Sequence, residues 1–277
     1  MKKIFIIIPL FLGGFLFSQK KPAKKPVRKA AVTQKLNYHD EFKKISDEIM
    51  VNGTAYNNLG ELTKGIGPRF SATSGYMKAA EWAERKLKEI GVEMIWRQQA
   101  KVPVWIRGRE SLQIKAGNGD WKNIMMLSFG NSEGTGGKDL TGEIVLINSV
   151  PELNATSIGQ LKDKIVFVNL PMDPKIINTS DSYLIAAKSK LISPSVVALT
   201  GAKALIIRSL TTANDDTPHA KMIYYEPDDK VKIPAMTIGA RSADELEKLL
   251  KKQKVTAKIN MTAESKGETT NPNIIAE

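Results

Sequence analysis

The chain has 277 residues and no cysteine, which excludes disulfides, thiolate metal sites and thiol nucleophiles. Its net charge of +12 is uneven: nine of its 41 basic residues lie within residues 1–35, where there is no Asp or Glu. The other 32 face 29 acids, a balance that argues against a folded basic face and so against nucleic-acid binding.

In chain order, Lys2 and Lys3 precede an apolar run from Ile4 to Phe17 that ends at the small Ser18. That run is shorter than the roughly 20 residues a membrane span requires. A basic start followed by a short apolar stretch reads as a cleavable export signal over residues 1–18, so the expected location is secreted or periplasmic, with no stable membrane span. Residues 19–36, rich in Lys, Pro and Ala, read as a basic disordered tail. Helices are expected over Asp40–Asn52, with Phe42, Ile45, Ile49 and Met50 apolar, and over Ala55–Lys64. A loop, GIGPRFSATSG, then leads to a helix from Ser74, read as its N-cap, to Ile90, with Gly91 closing it. Tyr76, Ala79, Ala80, Ala83, Leu87 and Ile90 form its apolar face.

A strand is expected over Val92–Gln98, and VPVWIRGRESLQI reads as a strand pair around a tight Arg107-Gly108 turn. Gly130, Ser132, Gly134 and Thr135 mark a Gly-rich loop without the spacing of a phosphate-binding P-loop. Two β-rich runs follow, Leu140–Ile147 and Leu161–Val168, whereas Asp173–Leu191 matches no regular pattern. Ser193-Pro194 and Gly201 bracket a short helix. Ala204–Arg208 is an all-apolar strand ending in a cation, and Ile233–Ile238 a second strand. Ser242 and Glu245 have capping-box spacing for a helix carrying Leu246, Leu249 and Leu250. Val255–Met261 alternates as a strand, Glu264–Asn271 reads as a polar linker, and Asn273–Glu277 as a last strand.

The order of these signals resembles a known family. GAKALIIRS, then Thr217-Pro218-His219, then IPAMTI and a Leu-rich helix, is similar to a protease-associated domain of the sort carried by secreted zinc exopeptidases of the carboxypeptidase Q kind. Pro103, Trp105, Arg107-Gly108 and Glu110-Ser111 resemble that family's P-x-W-x-RG-x-ES element, and Asn273-Ile274-Ile275-Ala276-Glu277 its N-x-IAE strand. Gly67-Pro68-Arg69 with Ser74-Gly75 is similar to its opening loop, while Lys188–Pro194 departs from its pattern. The resemblance implies an α/β fold, α+β overall, in which a protease-associated domain is inserted in an incomplete α/β zinc-exopeptidase layer. The expected divisions are 37–121 for the opening of the peptidase layer, 122–263 for the protease-associated domain, and 264–277 for a linker and returning strand.

The chemistry expected of the chain itself is sparse. The sequence holds two histidines, His39 and His219, and neither an H-E-x-x-H nor an H-x-D. No catalytic or metal-binding residue is therefore assigned, and no cofactor is expected in this chain. The resemblance implies two zinc ions in a full-length parent, a downstream catalytic domain as partner, and short peptides as substrate. The oligomeric state is left open. Arg208, Ser209 and His219 are the candidates for a substrate rim. Arg208 reads as either an internal salt bridge or a contact to a substrate carboxylate, and His219 as either a hydrogen bond fixing its loop or a group on the cleft rim. His39 is expected to face solvent. The competing reading is a stand-alone secreted module that binds peptides or proteins without catalysis. For the export signal, intact-mass analysis of exported protein should find a chain starting at Gln19; a membrane-embedded chain retaining Met1 would contradict it.

Overall fold

The computed structural model describes residues 38–225 and 228–277, except for the side chains of residues 190 and 191. The export signal and basic tail expected over residues 1–18 and 19–36 lie outside the described residues. No helix among the described residues is long and apolar enough to cross a membrane. Two units divide the chain, Met1–Tyr56 and Asn57–Glu277. The first contains α1 (Tyr38–Asn52), which buries no side chain and leaves the His39 side chain 85% exposed.

The second unit begins within α2 (Ala55–Gly60), which continues as a π-helical turn over Glu61–Ile66. Next comes α3 (Ser74–Glu89), capped by Thr73, whose hydroxyl accepts from Tyr76 N at 3.3 Å. The cap therefore sits one residue before the expected Ser74. Ile90 is 76% exposed and takes no part in the apolar face. Trp82 Nε1 and Lys86 Nζ both donate to Glu61, at 2.7 and 2.8 Å, tying α3 to the π turn. These partners hold the Glu61 carboxyl below its usual range.

Beyond α3, β1 (Ile95–Ile106) starts three residues later than expected and ends just before the Arg107-Gly108 turn. Its partner is β10 (Glu264–Ala276), antiparallel, in a two-stranded ribbon about 40 Å long. The polar stretch Glu264–Asn271 is thus strand rather than linker. Its side chains are largely exposed, so composition alone reads as loop, while the backbone pairing with β1 makes it strand.

The larger sheet has eight strands, in the order β3-β2-β9-β5-β6-β7-β8-β4. Its members are β2 (Glu110–Ala116), β3 (Lys122–Ile124), β4 (Met126–Ser128), β5 (Leu140–Ile147), β6 (Ile165–Val168), β7 (Ala204–Arg208), β8 (Ala235–Ile238) and β9 (Val255–Met261). The expected β1–β2 hairpin does not form, because β2 pairs with β3 and β9. A boundary at 121/122 would cut between β2 and β3, which are hydrogen-bonded neighbours. The sheet body instead starts after Ile106. The runs at Leu161–Val168 and Ile233–Ile238 both contribute shorter strands than expected, their first residues being turn or loop. The mixture of parallel and antiparallel strands with flanking helices is an α+β architecture.

The sheet changes character within β5, whose first half pairs antiparallel with β9 and whose second half pairs parallel with β6. From there β6, β7 and β8 run parallel; α4 (Val150–Asn154) leads into β6, and α5 (Thr179–Ala186), a 3-10 turn at Ala187–Leu191 and α6 (Pro194–Leu199) lie between β6 and β7. Parallel strands covered on both faces have to be apolar throughout. Accordingly Ile165, Phe167, Ala204 and Ile206 enter one core, while Val166, Val168, Leu205 and Ile207 enter the other. Strand β9 has one buried face and alternates cleanly.

The last helix, α7 (Ala240–Leu250), packs over the first core through Ala243 and Leu246. It has no capping box. Ser242 lies in its first turn, and Asp216, from the loop after β7, accepts from Ser242 N at 2.9 Å and Ser242 Oγ at 2.7 Å. Asp215 O takes Arg241 N at 3.0 Å, so a remote loop satisfies the helix's free N–H groups. The approach is close: a Cβ on Gly239 would lie 2.4 Å from Asp216 backbone atoms. Removing the Asp216 carboxylate by Asp216→Ala should therefore cost about 1–2 kcal/mol, whereas Glu245→Ala on the exposed face should stay within about 0.5 kcal/mol. Urea denaturation of the two variants decides between this tertiary cap and a capping box.

Candidate functional site

Two places concentrate polar side chains in the interior, and the first is the joint between ribbon and sheet. At the end of β1 the chain buries Trp105, which is 5% exposed. A buried indole N–H needs an acceptor, and Trp105 Nε1 finds Ser132 O at 2.9 Å. Phe70, from the loop before α3, packs on the indole at 5.5 Å between ring centroids, and the Arg107 guanidinium lies 5.2 Å over it. Arg107 donates to Ser128 O and, at 3.0 Å, to Ser128 Oγ, while Glu110 accepts from Ser128 N at 3.0 Å. Burial pushes the Arg107 guanidinium below its ordinary value, with Glu110 opposing. Gly108 turns between them at φ +67°, and any Cβ there would meet Thr262 Oγ1 at 2.2 Å. Ser132 Oγ accepts from Ala235 N at 2.8 Å, and Thr135 N donates to Met261 O at 2.8 Å.

The residues that carry the sequence resemblance at Trp105–Glu110, together with the Gly-rich loop Gly130–Thr135, are therefore the joint itself. They tie the end of the ribbon to the sheet by hydrogen bonds. On the other side of the ribbon, Tyr76 OH donates to Pro272 O at 3.0 Å, and Arg97 grips both oxygens of Glu84 at 2.6 and 2.8 Å. That grip holds the Glu84 carboxyl below its usual range.

The second place is the edge where the parallel strands end, the usual location of ligand sites in such sheets. Arg208 closes β7, and its side chain is 8% exposed. It follows the face of Ile206 towards α7, where Nη1 donates to Asp244 Oδ1 and, at 3.3 Å, to Asn169 Oδ1. Asn169 Nδ2 donates in turn to Glu247 Oε2 at 2.7 Å. Arg208 Nε is buried without a hydrogen-bond partner. Ser209 points the opposite way and is 1% exposed, its hydroxyl 3.0 Å from Thr237 Oγ1. It also accepts from His219 N at 2.9 Å, while His219 Nδ1 faces Leu210 O at 3.3 Å.

Of the three sequence candidates, the structure thus joins Ser209 and His219 and directs Arg208 to a separate network. Arg208 takes the internal salt bridge expected of it. Ser209 is too buried to meet a ligand in this arrangement. His219 fixes its loop through the backbone and ring, and remains exposed. Asn169, Asp244 and Glu247 were not foreseen. The available signal was weak: Asn169 directly follows the apolar run of β6, and Asp244 and Glu247 sit within the helix after β8.

Zinc needs at least three nitrogen, oxygen or sulfur donors converging on one point. Among the described residues no group of three or more His, Cys, Asp or Glu is placed to hold a metal ion. The donors of the described residues do not fit a zinc centre.

The joint makes a direct prediction. Trp105→Ala removes a buried aromatic and leaves Ser132 O without its donor, so it should cost about 3–5 kcal/mol. Amide exchange should accelerate first along residues 264–276, which lose their anchored partner strand.

No family model matches the chain. Curated relatives do: carboxypeptidase Q of Xenopus laevis is 27% identical over 88% of this chain and 50% of its own length. Carboxypeptidase Q of Mus musculus is 25% identical over 99% of this chain and 57% of its own. Among solved structures, a peptidase M28 precursor from Shewanella amazonensis superposes with a TM-score of 0.77 at 27% identity, covering 86% of this chain and 53% of that one. The chain spans about half the length of the curated relatives it matches. Sequence homology to carboxypeptidase Q and structural similarity to a peptidase M28 precursor together support kinship with the M28 metallopeptidases.

Proposed function

We propose that this chain is the N-terminal, non-catalytic portion of a secreted or periplasmic zinc metallo-exopeptidase that cleaves short peptides. In this reading the eight-stranded sheet is a protease-associated domain that covers or gates the active site. The observation that carries it is the lopsided coverage: nearly all of this chain aligns with only about half of a carboxypeptidase Q.

The two zinc ions and the general base then belong to a downstream catalytic domain, which is also this chain's partner. Zinc supplies an acidified water there. This chain's part is positional. The ribbon of β1 and β10, backed by α3, has one outer edge on each strand without a partner among the described residues, and an edge of that kind can be extended by further strands. The Trp105 joint sets where the sheet body sits relative to such an extension.

The test is calorimetric zinc titration beside a dipeptidase assay, on residues 19–277 and on a chain extended by the downstream coding sequence. The expected outcome is no stoichiometric submicromolar zinc binding and no turnover by the shorter chain, and both by the longer one. Zinc binding with turnover by the shorter chain alone overturns the reading. An extended chain that does neither favours a stand-alone binding module.

A further inference from the structure

The network around Arg208 leaves one of its hydrogen-bonding edges unused. Nη1 serves Asp244 and Asn169, while Nε has no acceptor and Nη2 carries no hydrogen bond among the described residues. In Arg97 this same edge, Nε with Nη2, holds the two oxygens of Glu84. A guanidinium edge without a partner on a side chain this buried is costly. Its geometry suits a carboxylate.

Space adjoins it. Arg208 and Asp244 line a cleft of about 340 Å³ together with Thr211, Thr212 and Asn214. That cleft shares Met172, Thr211 and Thr212 with a second, more apolar hollow of about 480 Å³, formed also by Tyr183, Leu184 and Leu210. The wall of the second hollow is α5, whose Leu184 and Ile185 are 64% and 56% exposed. The two hollows therefore place Arg208, whose buried Nε lacks a hydrogen-bond partner, beside an apolar recess, with two threonines between.

We propose that this cleft binds the α-carboxylate of an apolar amino acid, free or as the last residue of a peptide, with its side chain in the recess by Leu184. The carboxylate meets the outer edge of Arg208, and drawing the guanidinium outwards brings Nε to the second oxygen. Asp244, with its side chain 45% exposed, stays on Nη1 and repels the incoming anion. It tunes affinity downwards.

This inference does not rest on the peptidase reading. It is tested on the full chain with chelator present, so its failure leaves the zinc and dipeptidase measurements untouched, and theirs leaves it untouched. The probes are leucine, Gly-Gly-Leu and Gly-Gly-Leu amide, followed by calorimetry. At least one of the two acids should bind, and Gly-Gly-Leu amide should bind about tenfold or more weakly than the better acid. Binding of Gly-Gly-Leu without leucine assigns a peptide end, and comparable binding of both assigns the amino acid; either result supports the site. Arg208 variants risk misfolding, so two exposed positions carry the mutational test. Asp244→Asn should tighten carboxylate binding roughly threefold or more, since it removes a like charge while keeping an acceptor for Nη1. Leu184→Glu should weaken it about tenfold with an unchanged melting temperature. Equal affinity for acid and amide, weaker binding by Asp244→Asn, or no heat with either acid up to about 10 mM would each overturn the proposal.

Discussion

The burial of one indole organises the large unit. Trp105 ends a long, exposed ribbon strand, and its ring needs both apolar neighbours and an acceptor for its N–H. The neighbours come from Phe70, some 35 residues upstream, and from Arg107; the acceptor comes from Ser132. Ser132 in turn holds Ala235, and the adjoining Thr135 holds Met261. Segments far apart in sequence thus converge on one side chain. A two-stranded ribbon has little core of its own and is marginal in isolation. Anchoring one end in the sheet body and the other against α3 gives it a defined direction.

The sheet body follows a different constraint. The parallel strands β6, β7 and β8 are four or five residues long and covered on both faces, so apart from Thr237 their polar groups lie at the ends. Asn169, Arg208 and Ser209 all lie at those ends. Burying a guanidinium is costly unless it is paired and hydrogen-bonded. Asp244 and Asn169 meet one side of that requirement, and the other side is where the chain offers a ligand something to recognise. The loop after β7 does double duty, since Asp215 and Asp216 cap α7 while Thr211 and Thr212 border the cleft.

Similarity to carboxypeptidase Q and to a peptidase M28 precursor gives these features a setting. Residues that invite a functional reading through their resemblance to an enzyme family, such as Arg107 and Glu110, turn out to act on backbone groups of their own chain. The polar groups capable of meeting a ligand lie elsewhere, at the strand ends.

Much of the local structure was legible in the residues alone. The buried strand at Ala204–Arg208, the alternating strand at Val255–Met261, and the helix opened by Ser193-Pro194 match the structure, because burial pattern and capping are encoded within a few neighbouring side chains. The α+β class followed from the same signals. What failed depended on distant partners. Arg107-Gly108 looks like a hairpin turn, yet β1 and β2 join different sheets, since pairing is decided by which strand lies alongside. Glu264–Asn271 has the composition of a linker and becomes strand because β1 offers it a ladder. Ser242 and Glu245 have capping-box spacing, but Asp216 reaches the helix start from another loop. Arg208 was singled out as a cation ending an apolar run; its partners Asn169 and Asp244 come from 39 residues before and 36 after. Local periodicity determined the elements, while backbone hydrogen bonding and charge pairing between remote segments, fixed only once the chain is packed, decided how those elements meet.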